Sequence, residues 1–295
     1  MNHLHTLLAT TDLSAPSRHA SLRAAMLAQQ TGARLELVHV IEKKAIEELQ
    51  RWLGGAGETL QERIRSQARE TLVQLAADIG DPLGVSVGHH LAEGPVLESI
   101  LAHADNLDAS LLIAGAHGTR FMHHWLLGAT AERLLRKTLR PVLVVKQPPR
   151  DAYRSVLVPL DFSPWSEGAV RLAQAVAPQA RIILMHAFEA PFEAKLRFAG
   201  VEEDVIHRYR TKARQDALTR LDKTAADASI ATDNCRPVVI YGDAAFRILE
   251  QEEERGADLI VLGKHGTSIT EELLLGSVTK HVLAQSRCDV LVARR

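Results

Sequence analysis

The sequence predicts an α/β protein made of two tandem, doubly wound domains, each built on a five-stranded parallel sheet. Three observations predict it. Landmarks recur at a nearly constant offset: Asp12 and Asp161 stand 149 positions apart, and Gly115, Gly128 and Val142 return as Gly263, Gly276 and Val290 at 148. One repetition of that length is a duplicated domain, since a solenoid needs several short units. Within each copy, short runs rich in Val, Leu and Ile alternate with longer helical segments. That alternation marks parallel strands covered on both faces. Finally, 295 residues give each copy an ordinary domain length and a core of its own.

The elements follow in order. Thr6 to Thr11 is a buried strand, and Asp12-Leu13-Ser14 closes it with capping chemistry for a helix from about Pro16 to Gln30. Thr31-Gly32 stops that helix, and Arg34 to Ile41 is the second strand. A helix from about Glu58 to Ile79 ends at Gly80-Asp81-Pro82. Val85 to Leu91 is the third strand, and Gly94-Pro95 opens the third helix. Ser110 to Ala114 is the fourth strand, Ala131 to Leu139 the fourth helix, and Pro141 to Lys146 the last strand. The second copy repeats this order from Arg154 to Arg295. Domains are therefore drawn at residues 1–147 and 152–295. The linker Gln147-Pro148-Pro149-Arg150-Asp151 carries two prolines and reads as stiff, favouring one fixed arrangement. The last strands, Val142 to Val145 and Val290 to Val292, are apolar edges that need covering. They are expected to pair with each other or with a second copy of the chain, as a homodimer.

Composition narrows the function. A net charge of -1 disfavours a polyanion partner such as nucleic acid, and 4% aromatic residues make a poor base-stacking platform. No apolar run approaches bilayer length, and Met1 to His5 lacks the basic start and apolar core of a signal peptide. Cys235 and Cys288 read as small buried core residues in a reducing compartment, hence a cytoplasmic location.

The chemistry gathers in the second copy. In an open parallel sheet, ligands bind beyond the carboxyl ends of the strands where the chain reverses direction. Pro159, Leu160 and Asp161 end the first strand there, and Gly263-Lys264-His265-Gly266 ends the fourth. Nine residues later come Gly276 and Ser277-Val278-Thr279 at a helix start. Glycine allows positive φ and close approach of the backbone to an anion. The helix N-terminus adds free N–H groups and a favourable dipole. Ser277 and Thr279 add hydroxyl donors, and Asp161 suits a ribose hydroxyl or an adenine amine.

Asp161 and Gly263-x-x-Gly266-(nine residues)-Gly276-Ser277 resemble the ATP-binding signature of universal stress proteins. The resemblance spans nearly the whole chain, twice. It implies that Asp161 contacts the nucleoside, that backbone at His186-Ala187 frames adenine, and that the glycine loop and Ser277 hold the phosphates. ATP, with Mg²⁺, is the cofactor implied. The first copy keeps Asp12, Gly115, Gly118 and Gly128, with Val40 in the place of Ala187. It departs where Ala129 replaces Ser277 and Ala131 replaces Thr279, while Thr130 offers a hydroxyl out of register. Each lost hydrogen bond to a charged group costs about 1.5–3 kcal/mol, so the first site is expected to be weak, altered or empty. Its loop also differs. Arg120, His123, His124 and Trp125 stand where the second copy has Ser268, Glu271, Glu272 and Leu273, which would suit another ligand.

Other motifs have plainer readings. Gly54-Gly55-Ala56-Gly57 lacks the following Lys-Ser/Thr of a phosphate loop and reads as a flexible connection. Fourteen histidines, among them His3, His5, the pair His89-His90 and the loop residues His117 and His265, show no zinc spacing with Cys or Glu, so no metal site is assigned. Glu250 to Glu254 reads as a solvated helix face. No positioned base or Walker lysine marks phosphoryl transfer, and no catalytic residue is assigned. The leading function is a nucleotide-dependent regulator of stress physiology. A slow ATPase and a nucleotide-free dimerisation scaffold stand behind it.

Overall fold

The computed structural model describes residues 4–43, 47, 51, 57–116, 127–189, 193–264 and 275–294. The chain divides into two compact units, Asn2–Ala152 and Tyr153–Arg295. Among the described residues, no helix is long and apolar enough to cross a membrane.

The first unit runs β1 (Thr6–Thr10), α1 (Ala15–Thr31), β2 (Arg34–Ile41), α2 (Gly57–Gly80), β3 (Val87–Glu93), α3 (Val96–Asn106), β4 (Leu111–Gly115), α4 (Ala129–Lys137) and β5 (Val142–Val145). Its strands are all parallel, in the order β3-β2-β1-β4-β5. The chain leaves β1 towards β2 and β3, then returns to β4 on the other side. The switch point therefore lies between β1 and β4. The central strands are apolar throughout, and Leu7, Leu8, Leu111, Leu112 and Ile113 are completely buried. Helix α1 packs on β1 and β4 through a small-residue face, including Ala20, Ala24 and Ala25. The Ser14 side chain caps its start by accepting from the Ser17 N–H. Gly32 ends it at φ 70°, a left-handed turn that glycine enters without a Cβ penalty.

The second unit repeats the plan: β6 (Ser155–Pro159), α5 (Ser166–Val176), β7 (Arg181–Phe188), α6 (Glu193–Phe198), α7 (Glu203–Asp227), β8 (Cys235–Tyr241), α8 (Ala244–Arg255), β9 (Leu259–Gly263), α9 (Ser277–Gln285) and β10 (Asp289–Ala293). Its order is β8-β7-β6-β9-β10, again parallel, with the switch point between β6 and β9.

Several expectations need correction. β3 starts at Val87, two residues late, because the turn Asp81–Leu83 and Gly84 hold Val85, whose N–H donates to the Gly80 carbonyl. Helix α4 starts at Ala129, two residues early, because Gly128 is already its N-cap. Cys288 is buried, but Cys235 is half-buried because it opens the edge strand β8. The acidic run is not a uniformly solvated face. Gln251 and Glu252 are buried, and Glu252 Oε1 accepts the backbone N–H groups of Arg287 and Cys288 at 2.7 Å each.

Candidate functional site

Both switch points carry the same backbone device. In the second unit, Asp161 Oδ1 accepts the Ser163 N–H at 3.0 Å and the Ser166 hydroxyl at 3.1 Å. In the first, Asp12 Oδ1 accepts the Ser14 N–H at 3.0 Å and the Ser14 hydroxyl. The intervening residue is left-handed in each, Phe162 at φ 59° and Leu13 at φ 62°. A side chain with a Cβ enters that region at a cost of roughly 1–2 kcal/mol, so the Asp hydrogen bonds must hold the turn. A histidine on the neighbouring strand braces it. The Nδ1–H of His186 donates to the Leu160 carbonyl at 2.7 Å, and that of His39 to the Thr11 carbonyl at 2.8 Å.

His186 also stacks against Phe162, with ring centroids 4.4 Å apart, and the Arg220 guanidinium lies 3.9 Å from the Phe162 centroid. Burial pulls the His186 pKa below its ordinary 6.5, although the hydrogen bond to Leu160 works the other way. Unfolding returns the ring to its ordinary value. Above about pH 6.5 neither state takes a proton there, whereas below it the unfolded chain does so first. The second unit is therefore expected to lose stability as pH falls from about 6.5 towards the folded pKa. An NMR titration of the His186 ring checks this. Protonation at or above the ordinary histidine value contradicts it.

The other wall is the start of α9. The Lys264 N–H donates to the Ala293 carbonyl, and the Gly276 N–H donates to the Lys264 carbonyl at 3.0 Å. Gly276 then caps the helix with no side-chain hydrogen bond, and the first intrahelical bond runs from the Lys280 N–H to the Gly276 carbonyl. The N–H groups of Ser277, Val278 and Thr279 thus have no acceptor inside the helix. The first unit matches this bond for bond: Ala116 N–H to Val145, Gly128 N–H to Ala116, and Gly128 as uncapped N-cap before Ala129.

A cleft of about 260 Å³ joins these walls in the second unit. Of the residues singled out in the sequence, Pro159, Leu160, Asp161, Ala187, Gly263, Gly276, Ser277, Val278 and Thr279 line it. Lys264 does not, and its side chain is buried. His265 and Gly266 lie outside the described residues, as do His117, Gly118, Thr119 to Trp125 and Ser268 to Leu273. Two further corrections follow. The four described glycines are not left-handed, for Gly276 stands at φ -58° and Gly128 at φ -60°. Their value is the absent side chain. The Thr279 hydroxyl donates to the Gly263 carbonyl at 2.9 Å, so its proton ties α9 to β9 instead of facing a ligand.

Sequence reasoning missed the remaining walls: Ser163, Trp165, Ser166 and Ala169 at the start of α5, Ala244 and Ile248 on α8, and Leu262 on β9. Ser166 was findable. It occupies the place of Ser17 in the first copy, which also lines its cleft. Asp161 is the single charged side chain among the described lining residues of the second cleft.

The first unit's cleft is larger, about 1100 Å³. It gathers Asp12, Val40, Gly115, Gly128, Ala129 and Thr130 as expected. It adds cations absent from the second cleft, Lys43, Arg133, Arg136 and Lys137, together with Glu42, Glu47 and Glu98.

Known proteins share this plan. A model of the universal stress protein family matches residues 3–146 and again 152–294. Universal stress protein MJ0577 of Methanocaldococcus jannaschii is 26% identical over 155 residues, covering 48% of this chain and 96% of its own. Universal stress protein A homolog 2 of Coxiella burnetii is 34% identical over 151 residues, covering 49% of this chain and 97% of its own. A universal stress protein structure from Archaeoglobus fulgidus superposes with a TM-score of 0.69 at 22% identity, covering 98% of each chain, which supports the fold alone. Two matches of the family model, one to each half, establish that the chain belongs to the universal stress protein family and carries its domain in tandem.

Proposed function

We propose that the second unit's cleft binds ATP, with Mg²⁺, and that the protein is a nucleotide-dependent regulator of the stress response, acting in the cytoplasm. One observation carries the reading: the uncapped start of α9 shares a cleft with Asp161. Three N–H groups and the helix dipole offer positive potential where no Lys or Arg lines the described walls. A triphosphate fits that donor set. The Ser277 and Val278 amides and the Ser277 hydroxyl would hold phosphate oxygens. Asp161 uses Oδ1 internally and would offer Oδ2 to the ribose. Leu160 and Ala187 would frame the base. Asp161 is the sole carboxylate among the described lining residues, so Mg²⁺ would be held by phosphate oxygens and water. Both cysteines are free, in keeping with a reducing compartment.

The first unit keeps the amides but not the hydroxyls, having Ala129 and Ala131 where the second has Ser277 and Thr279. Since the Thr279 hydroxyl is spent on Gly263, the Ser277-to-Ala129 difference is the one that matters for ATP. The first cleft is proposed as the weaker ATP site, with its basic rim suited to another anion.

Calorimetric titration with ATP, run beside an assay of ADP release, tests the proposal. Binding with negligible turnover is expected, and Asp161→Ala should weaken it by about tenfold, the loss of one good hydrogen bond to the nucleoside. Turnover that survives repurification and fails in Asp161→Ala would make the protein an ATPase. No heat with any adenine nucleotide would leave a nucleotide-free scaffold.

A further inference from the structure

Away from both clefts, the first unit brings together three potential metal ligands that no local sequence pattern links. Glu36 is on β2, His90 on β3 and His103 on α3, which packs across those two strands. The parallel register pairs Glu36 with Gly88 and Val38 with His90, so Glu36 and His90 share the sheet face that α3 covers. The His103 Nε2 lies 2.6 Å from Glu36 Oε1, and the rings of His90 and His103 stack at 3.9 Å, 10° from parallel. One ligand atom from each residue lies within 4.8 Å of the others.

We infer that Glu36, His90 and His103 form a binding site for a divalent transition-metal ion of the zinc type. Two imidazoles and one carboxylate are a borderline donor set that favours zinc over magnesium or calcium. A tetrahedral ion held at about 2.0–2.1 Å needs its ligand atoms about 3.3–3.4 Å apart. The ligand atoms, now within 4.8 Å of one another, reach that spacing when the two stacked rings turn so that their nitrogen lone pairs converge, a change that side-chain torsions supply. Water completes the coordination through the partly exposed His90.

Two features separate this cluster from an ordinary ion pair. The first is what the other copy does with the same positions. There Ile183, Val238 and Gln251 take the places of Glu36, His90 and His103, and all three are buried. The first copy has put two imidazoles and a carboxylate where its twin packs mostly apolar side chains. The Glu36 and His103 side chains are only 24% and 12% exposed, so they lose solvation there, a cost that a bound cation offsets. The second is the space beside the carboxylate. A Cβ on Gly88 would meet Glu36 Oε2 at 3.3 Å and Cγ at 3.4 Å, so a side chain at that position would crowd the carboxylate. Glu36 lies two residues back along β2 from Val38, the nearest residue of the first cleft on that strand, and none of the three ligands lines that cleft. It is therefore independent of the nucleotide reading.

The test uses the full chain, freed of any purification tag and stripped of metal by chelation. Titration with zinc chloride should show one equivalent bound with micromolar or tighter affinity. Cobalt(II) should give visible absorption of a tetrahedral site. His90→Ala, partly exposed and so compatible with folding, should weaken zinc binding by at least tenfold, as should Glu36→Gln. Zinc should raise the melting temperature of the wild type and not that of His90→Ala. Absence of zinc binding by the wild type, or undiminished binding by His90→Ala and Glu36→Gln, would overturn the assignment. ATP titration of the same variants should be unchanged, which separates this result from the nucleotide proposal.

Discussion

Gly276→Val is expected to remove most ATP binding, while Gly128→Val leaves it nearly intact. Gly276 lines the cleft directly before the three α9 amides that have no acceptor inside the helix. A valine there places a branched Cβ where an anion must approach the Ser277 and Val278 N–H groups. Losing one or two hydrogen bonds to a charged ligand costs about 1.5–3 kcal/mol each, and every 1.4 kcal/mol is a factor of ten in affinity. The expected loss is therefore at least tenfold and approaches a hundredfold or more if two bonds go. Folding should survive. The Gly276 backbone, at φ -58° and ψ 152°, is open to any L-residue, and a poor N-cap costs about 1 kcal/mol. The same change at Gly128 has equal backbone consequences but falls in the cleft without the Ser277 hydroxyl. Calorimetric ATP titrations of the two variants, each checked for folding by circular dichroism, decide the matter. Equal losses from both would reverse the ranking of the two sites.

The parts of this molecule that were legible in the sequence are those fixed locally. A strand buried on both faces has to be apolar, so Leu111 to Ala114 and Val156 to Val158 announced themselves. Ser14 and Gly32 punctuate helix α1 because few residues satisfy or tolerate those backbone positions. Duplication then placed Asp161 and Gly263 at the two strand ends that the topology brings together. What was hidden depends on distant partners. Trp165 and Ile248 wall the cleft, but an apolar residue looks the same whether it faces a core or a ligand. Thr279 resembles a phosphate donor until its bond to Gly263, sixteen residues away, is seen. His103 meets Glu36 across 67 residues of chain, a separation that metal-ligand spacing rules do not cover. The binding glycines suggest positive φ, yet the strain sits on Leu13 and Phe162, where Asp side chains hold it by accepting hydrogen bonds from the backbone.

Glu252→Ala is expected to be among the most damaging single changes in the second unit, although the sequence presents that residue as one of several acidic positions on a helix. Glu252 is 8% exposed, and its Oε1 accepts both the Arg287 and the Cys288 N–H at 2.7 Å. These amides belong to the turn between α9 and β10, and the Cys288 bond is buried. The first copy has solved the same problem differently. Ala104 stands in the position of Glu252, the Thr138 hydroxyl accepts the Arg140 N–H, and the Arg140 side chain donates to Asp105, Asp108 and the Ala109 carbonyl. The second copy has no such arginine in the turn's matching place, where Cys288 stands. Truncating Glu252 thus removes a charged acceptor from two main-chain donors, and at about 1–3 kcal/mol for each bond lost the expected destabilisation is about 2–4 kcal/mol after partial access by water. Glu252→Gln keeps an acceptor and should cost about half as much, since only the charge assistance is lost. Hydrogen exchange of the β9 and β10 amides reads this directly. Their protection should drop in Glu252→Ala, drop less in Glu252→Gln, and hold steady in the β1 and β4 amides of the first unit. A loss spread evenly over both units, or no loss at all, would show that the turn does not depend on this carboxylate.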